Sequence, residues 1–281
     1  MLRRAVFETV RQGDVVLDAG TGSGILAIWA AQAGAAKVVA VDRDDLELAR
    51  QLAIDNGVAD RISFVRDDLG ELDLPELTSR VDVMLAMLYL NDPRRDARAS
   101  ELAFDLKDRY LKEGGRMVPD GVRYEIAACD WPAHDLQTRR KRVAQVVRQI
   151  EERIGVNLVA LTRATDTTID KGSFPPRASN GSILDPSARL LTEYTSICTI
   201  DYQGTERQPL PHSKVLSITA PGILNALVWT QSLMWRDLSL FSNESLTWVA
   251  NPTAVVDGDN VSIEVAEDFS SLARVWIAPV G

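Results

Sequence analysis

The chain contains little cysteine and little histidine. Its 281 residues include two of each, Cys129, Cys198, His134 and His212, far apart in the sequence. A disulfide-stapled fold needs more cysteines, and a zinc site needs cysteines or histidines in closely spaced pairs. The sequence therefore predicts neither a disulfide framework nor a bound metal ion.

Long apolar runs and an excess of positive charge are also absent. No apolar stretch is long enough to span a bilayer, and the residues after Met1 do not read as a signal peptide. The net charge of −9 argues against a nucleic-acid backbone as the main partner. We therefore expect a cytoplasmic protein that binds neither nucleic acid nor membrane.

Residues 14–42 carry the clearest pattern in the chain. They contain, in order, an apolar strand, a glycine-rich turn, an alanine-rich helix and a second strand that ends on an acid, at 15–17, 20–24, 25–33 and 37–42. Closely spaced glycines let a ligand lie against the backbone, and ligands of open α/β sheets sit at the carboxyl ends of the strands. The pattern predicts a nucleotide-cofactor pocket in which Asp42 accepts hydrogen bonds from ribose hydroxyls.

The spacing of the glycines indicates which cofactor. Dinucleotide folds use G-x-G-x-x-G, whereas this turn reads D-A-G-T-G-S-G, with Asp18 directly before it. An aspartate at this place would repel a pyrophosphate but suits a cofactor with a cationic amino-acid end. A dinucleotide enzyme and a glycine turn without a ligand stay open as alternatives.

The character of the chain changes at Asp120. Before it, strands at 62–65, 81–86 and 116–118 alternate with helices at 44–56 and 97–110. After it, short strands are interrupted by a helix at 136–154 and an exposed loop at 170–187. The strands are predicted at 122–128, 195–202, 214–219, 226–234, 261–265 and 273–277. We predict an α/β fold, with a Rossmann-like cofactor domain at 1–120 followed by a β-rich, barrel-like domain at 121–281 with a helical insertion.

The first motif resembles that of the class I S-adenosylmethionine (SAM) methyltransferases, V-L-D-x-G-x-G-x-G. Within that class the chain is similar to the protein arginine methyltransferases in three stretches, LDAGTGSGILAIWAAQAGAAKVVAVD, ISFVRDDLGELDLPE and KDRYLKEGGRMVPDGV. The resemblance implies SAM as the cofactor and a β-barrel that carries part of the substrate site. It also implies a head-to-tail homodimer formed through a helical arm, for which the helix at 136–154 is the candidate.

The resemblance assigns the cofactor contacts residue by residue. It places the ribose at Asp42 and the adenine near Asp68 and Leu69. The full set of predicted cofactor contacts is Asp18, Gly20, Thr21, Gly22, Gly24, Ile25, Asp42, Arg43, Asp68, Leu69 and Ala86.

The two motifs that hold arginine in this family differ here. A guanidinium is always protonated, so the family clamps it with two glutamates after the fourth strand. The first falls on Ala86 or Met87 and the second near Asp96. The family's Thr-His-Trp loop maps to SNESLTWVANP, which has Thr247 and Trp248 but no histidine.

These differences shape the predicted activity. We predict a SAM-dependent methyltransferase that acts on a nitrogen or carbon nucleophile of a small molecule or peptide. Asp92 is the candidate for orienting or deprotonating the acceptor, and Asp96, Tyr89 and Trp248 are further catalytic candidates. Asn-Asp-Pro is also a turn signal, and a tyrosine or a tryptophan at the positions of Tyr89 and Trp248 more often serves in packing. Arginine methylation with a divergent acceptor site, and a SAM-binding but inert partner subunit, stay open.

Overall fold

The structure is a computed structural model of the chain. It describes residues 1–74, 77, 79–88, 97–131, 133–154, 157, 178–179, 188–204, 213–265 and 272–278. The predicted loop at 170–187 falls mostly outside these ranges. Among the helices that the structure describes, none is long and apolar enough to cross a membrane.

The first part of the chain forms a parallel sheet with helices. Its elements are α1 (Leu2–Thr9), β1 (Val15–Ala19), α2 (Ile25–Gln32), β2 (Lys37–Asp42), α3 (Glu47–Asp55), β3 (Ile62–Arg66), β4 (Val81–Leu85), α4 (Ala97–Tyr110) and β5 (Leu111–Val118). The strand order is β3-β2-β1-β4-β5, and every neighbouring pair is parallel. The order reverses between β1 and β4, where such sheets open a crevice at the carboxyl ends of the strands.

Both faces of this sheet are covered, and most residues of its central strands are apolar. Val16 and Val38 lie in one core with residues of α1 and α2, whereas Leu17 and Val39 lie in a second core. A strand that is buried on both sides reads as a continuous apolar run, which is the pattern that the sequence shows here.

The rest of the chain is antiparallel and rich in strands. Its elements are β6 (Gly121–Asp130), α5 (Ala133–Ile154), β7 (Ala178–Ser179), β8 (Arg189–Leu190), β9 (Thr195–Asp201), β10 (Ser213–Ser217), β11 (Gly222–Trp235), β12 (Leu238–Val255), β13 (Asn260–Val265) and β14 (Leu272–Ala278). One sheet has the order β7-β12-β11-β6-β8, with β9 also paired to β6, and another has the order β10-β13-β14. We call residues 121–278 the β-rich half. The predicted fold class is confirmed, whereas closure into a barrel and a domain boundary at residue 120 stay predictions.

Buried contacts join the two halves. The indole N–H of Trp235, in β11, donates to the hydroxyl of Thr9 at the end of α1 over 3.1 Å. On α4, the Ser100 hydroxyl accepts a hydrogen bond of 3.1 Å from the hydroxyl of Tyr202. One apolar cluster also includes residues of both halves, so the parallel sheet and the β-rich half share a core.

Two expectations about secondary structure are wrong. The segment SNESLTWVANP, expected as a loop, lies inside β12 and pairs with β11. The strand predicted at 116–118 begins earlier in the structure, because residues 111–115 also belong to β5, where the register shifts between the pairs Val81–Leu111 and Val83–Arg116. This irregularity lets a glycine-containing segment continue the strand.

Candidate functional site

The glycine turn after β1 is tied to the end of β2. The backbone amides of Gly20 and Thr21 both donate to the carbonyl of Val41 at 2.9 Å. The next amide, that of Gly22, donates to Oδ2 of Asp42 at 2.8 Å. The turn is therefore held in place by β2 without any contribution from a ligand.

Two glycines of this turn do different work. Gly22 has φ +51° and nothing within 4 Å of the place where a Cβ would lie, so its surface is open to a ligand. Gly24 has φ +78°, and a Cβ there would lie 3.0 Å from the Cβ of Ala49 on α3. Gly24 thus allows close packing of two helices, whereas Gly22 leaves room beside the backbone.

Asp42 stands at the carboxyl end of β2 and is partly exposed. Besides the bond from Gly22, its Oδ1 accepts a hydrogen bond of 3.1 Å from the amide of Asp44. An ionised carboxylate offers about four acceptor positions, so these two bonds leave capacity for further donors such as hydroxyl groups.

Asp18, the residue before the turn, is fully buried. Its Oδ2 accepts a hydrogen bond of 2.5 Å from the Thr21 hydroxyl, and no donor in the described part of the chain pairs with its Oδ1. Burial raises the pKa of Asp18 to about 7. The Thr21 hydroxyl and the backbone amide of Ala27 partly offset that rise, and the charge of Asp42 adds to it.

Two leucines form an apolar wall beside the turn. A Cβ placed on Gly20 would lie 3.3 Å from Cδ2 of Leu88 and 4.0 Å from Cδ1 of Leu69. Leu69 is among the predicted cofactor contacts, whereas Leu88 is not. Its position just after β4, the strand beside β1, is the signal that would have found it.

The remaining predicted cofactor contacts surround the turn in different settings. Asp68 is exposed, and its Oδ1 accepts a hydrogen bond of 2.8 Å from the amide of Gly70, so it starts a tight turn. Arg43 and Ile25 are exposed, whereas Ala86 is buried and donates its amide to Val118. Their predicted roles toward a cofactor stay predictions.

The end of β4 is apolar where the family places its first glutamate. Ala86 is 2% exposed, and Met87 packs against both apolar cores. Asp82, within the same strand, is hydrogen-bonded to the Val15 amide and to Lys112 near the amino ends of the strands, away from the glycine turn. No carboxylate therefore lies at the described end of β4, residues 84–88. The catalytic candidates Tyr89, Asp92 and Asp96 lie outside the described residues.

Thr247 and Trp248, the Thr-Trp pair, lie inside β12, and the side chain of Thr247 is hydrogen-bonded within the β-rich half. The hydroxyl of Thr247 accepts a buried hydrogen bond of 3.1 Å from the indole N–H of Trp229. Trp248 pairs with Ala226 through the backbone, and its side chain is outside the described part. Within the described residues, no group of three or more His, Cys, Asp or Glu could hold a metal ion.

Comparison with known proteins yields matches to methyltransferases. Residues 4–92 match the profile of the ribosomal protein L11 methyltransferase (PrmA) family. Protein arginine N-methyltransferase PRMT10 of Oryza sativa subsp. japonica is 37% identical over 168 residues, 57% of this chain and 43% of that protein. Histone-arginine methyltransferase CARMER of Aedes aegypti is 32% identical over 256 residues, 88% and 39% respectively. The chain thus spans less than half the length of these relatives.

Solved structures show the same fold. The crystal structure of Arabidopsis thaliana protein arginine methyltransferase 10, in an open conformation, has a TM-score of 0.65 at 24% identity and covers 93% of this chain and 82% of that chain. A chain of the Trypanosoma brucei PRMT1 enzyme-prozyme heterotetrameric complex with AdoHcy has a TM-score of 0.66 at 18% identity, with 94% and 82% covered. The resemblance to protein arginine methyltransferases predicted from the sequence is confirmed.

Proposed function

We propose that the chain is a SAM-dependent methyltransferase whose cofactor lies across the carboxyl ends of β1 and β2. The observation that carries this proposal is the glycine turn pinned to β2, with Gly22 open on one side and Asp42 partly exposed beside it. The named activities of the relatives support it. SAM supplies a methyl carbon that its sulfonium already activates, so the protein contributes chiefly by positioning and by excluding water.

The residues present fit the parts of this cofactor. Asp42 has acceptor capacity for ribose hydroxyls, and Gly22 has no side chain to obstruct a nucleoside. Leu69 and Leu88 supply an apolar surface next to the turn. Asp18 adds a carboxyl group with an unused acceptor atom, which suits a cationic amino-acid end. Asp68 stays the proposed acceptor for the adenine amino group.

For the acceptor we propose a neutral nitrogen or carbon nucleophile of a small molecule or peptide. Ala86 and Met87 cannot hold a cation by charge, and Met87 is already packed against both cores. A neutral nucleophile needs correct aim and a route for its proton rather than a pair of carboxylates. Asp92, Asp96, Tyr89 and Trp248 remain the proposed acceptor-site residues.

Arginine methylation is the second candidate, because the named relatives are arginine methyltransferases. Asp96 would then supply a carboxylate, and the missing first glutamate would have to be replaced by another group. A third candidate is a SAM-binding inert subunit, since one structural neighbour belongs to an enzyme-prozyme complex. The apolar end of β4 is the observation that favours this reading.

Assembly and location are also proposals. A homodimer through α5 is supported by Val146 and Ile150 on that helix, which are 47% and 40% exposed. Light scattering on the purified chain would show a monomer if this is wrong. The cytoplasmic location rests on the sequence alone.

The proposed function is tested in two steps. Calorimetry with S-adenosylhomocysteine should show saturable binding that is weakened by Asp42→Asn. Labelled SAM should then transfer its methyl group to a component of small-molecule or peptide pools, with an arginine-rich peptide as a separate arm. Label only on arginine would favour the second candidate, and binding without any transfer would favour the third. Absence of binding would refute the proposal.

A further inference from the structure

The side chain of Asp18 is buried without the partners that an ionised carboxylate requires. It has 0% exposure, its Oδ2 accepts a hydrogen bond from the hydroxyl of Thr21, and the backbone amide of Ala27 at the start of α2 is a second donor that favours its ionised form. Its Oδ1 has no partner among the described residues. A buried group in this setting lowers its free energy by holding a proton and staying neutral.

None of the described residues that shift the pKa of Asp18 is positively charged. On β2, Asp42 is a second carboxylate, and its charge disfavours ionisation of Asp18. The helix α2, ILAIWAAQ, carries no charged residue. On β4 the residue that pairs with Asp18 is Leu85. In agreement with this setting, the pKa of Asp18 is raised to about 7.

We propose that Asp18 is neutral in the free protein and releases its proton to solvent when the ammonium group of the cofactor's amino-acid end binds at the glycine turn. This inference rests on the proposed function. The physical reason is that a positive charge placed near a buried carboxyl stabilises its ionised form, and charges interact strongly where water is excluded. The proton leaves as the ammonium group arrives, so the ammonium replaces the proton as the positive partner of the Asp18 carboxylate.

The proposal predicts that affinity depends on pH for some ligands only. When a group loses its proton on binding, affinity falls as the pH drops below the pKa of the free protein, by up to about tenfold per pH unit. S-adenosylhomocysteine carries the amino-acid end, whereas 5′-methylthioadenosine keeps the nucleoside and thioether without it. We expect the first ligand to bind about twentyfold more weakly at pH 5.5 than at pH 7.5 and the second to change less than about twofold.

Calorimetry of the full chain in two buffers with different ionisation enthalpies measures the protons released. Near pH 6 we expect close to one proton per S-adenosylhomocysteine and close to none for 5′-methylthioadenosine. Asp18→Asn should abolish both the pH slope and the proton release. The Thr21 hydroxyl lowers the pKa of Asp18, so its removal in Thr21→Val should raise that pKa and move the pH dependence of binding to higher pH.

A second readout needs no ligand. A carboxyl whose pKa is raised on folding stabilises the folded state below its unfolded pKa, and this contribution is lost as the pH rises through about 7. As the pH rises from 5 to 8, the unmodified chain should therefore lose unfolding free energy relative to Asp18→Asn, which urea unfolding measures. The same measurement shows whether the variant folds.

The outcomes separate this inference from the proposed function. If neither nucleoside binds at any pH, the proposed function fails. If both bind with equal pH slopes, or S-adenosylhomocysteine binds without proton release, the function stands and the role of Asp18 is refuted.

Discussion

The ends of β2 and β4 lie at the same edge of one parallel sheet, on either side of β1, but their chemistry differs. β2 ends on Asp42, which is hydrogen-bonded to the glycine turn and partly exposed. β4 ends at Leu85 and is followed by buried Ala86 and by partly buried Met87, which packs against both apolar cores. The glycine turn and Asp42, which we call the cofactor side, are held together by backbone hydrogen bonds that do not depend on a bound methyl acceptor. The residues after β4, where we propose that the methyl acceptor binds and which we call the acceptor side, can therefore change in sequence while the cofactor side stays intact.

The largest expected effect concerns the two glycines that separate ligand space from packing. Gly24→Ala places a Cβ 3.0 Å from that of Ala49, at φ +78°, and Gly22→Ala places one in open space at φ +51°. We expect the first to lower the free energy of unfolding by about 2–4 kcal/mol, because backbone strain and overpacking add. The second should cost about 1 kcal/mol. Urea unfolding followed by circular dichroism measures both, and equal losses would contradict the distinction.

The next effect concerns Asp42. Asp42→Asn replaces a carboxylate that accepts hydrogen bonds from the Gly22 amide and from the proposed ribose hydroxyls. We therefore expect S-adenosylhomocysteine to bind about ten- to hundredfold more weakly. Asp68→Asn is the matched control at the end of β3, where the side chain is exposed and already bonded to Gly70. It should weaken binding by about threefold. A larger loss at Asp68, measured by calorimetry, would move the main polar contact from the ribose to the adenine.

Much of the cofactor side could be predicted because its signal is local in the sequence. An apolar run, alternating glycines and an acid at a strand end determine one supersecondary unit. The burial of Asp18 and the contact of Leu88 with the turn depend on where β4 lies relative to β1, and no local pattern encodes that. The sequence could therefore name Asp18 but not its neutral state.

The acceptor side was harder to predict because the family's motifs are replaced there. Thr247 aligns with the threonine of the family's Thr-His-Trp motif, but in the structure it lies inside a strand and its hydroxyl accepts a hydrogen bond from the indole N–H of Trp229. The error in that segment arose because a motif match outweighed the local strand pattern around it, and β12 pairs with β11 along its length. Similarity to a motif carries residue identity and does not carry backbone geometry.

Restoring charge at β4 tests whether the apolar character excludes cations. Met87→Glu puts a carboxylate at one of the two positions, Ala86 or Met87, on which the family's first glutamate falls, and Met87→Gln has the same shape without the charge. We expect Met87→Glu to bind an arginine-containing peptide about tenfold more tightly than Met87→Gln, because a charge-assisted hydrogen bond is stronger than a neutral one. Fluorescence anisotropy with a labelled peptide measures this. Equal affinities would mean that the acceptor pocket lies elsewhere.

The smallest expected effect concerns the contact that ties the two halves together. Trp235→Phe removes the indole N–H that donates to Thr9 over 3.1 Å, and Thr9→Val removes the acceptor. Each change leaves the other group buried and unpaired, so each should cost about 1 kcal/mol of unfolding free energy. In the double variant both groups are gone, and the cycle should give a coupling of about 0.5–1.5 kcal/mol. A coupling near zero in urea unfolding would mean that the shared apolar core alone positions the β-rich half. The acceptor side could then shift without strain at α1, and the difference between the two strand ends would extend to how firmly each is held.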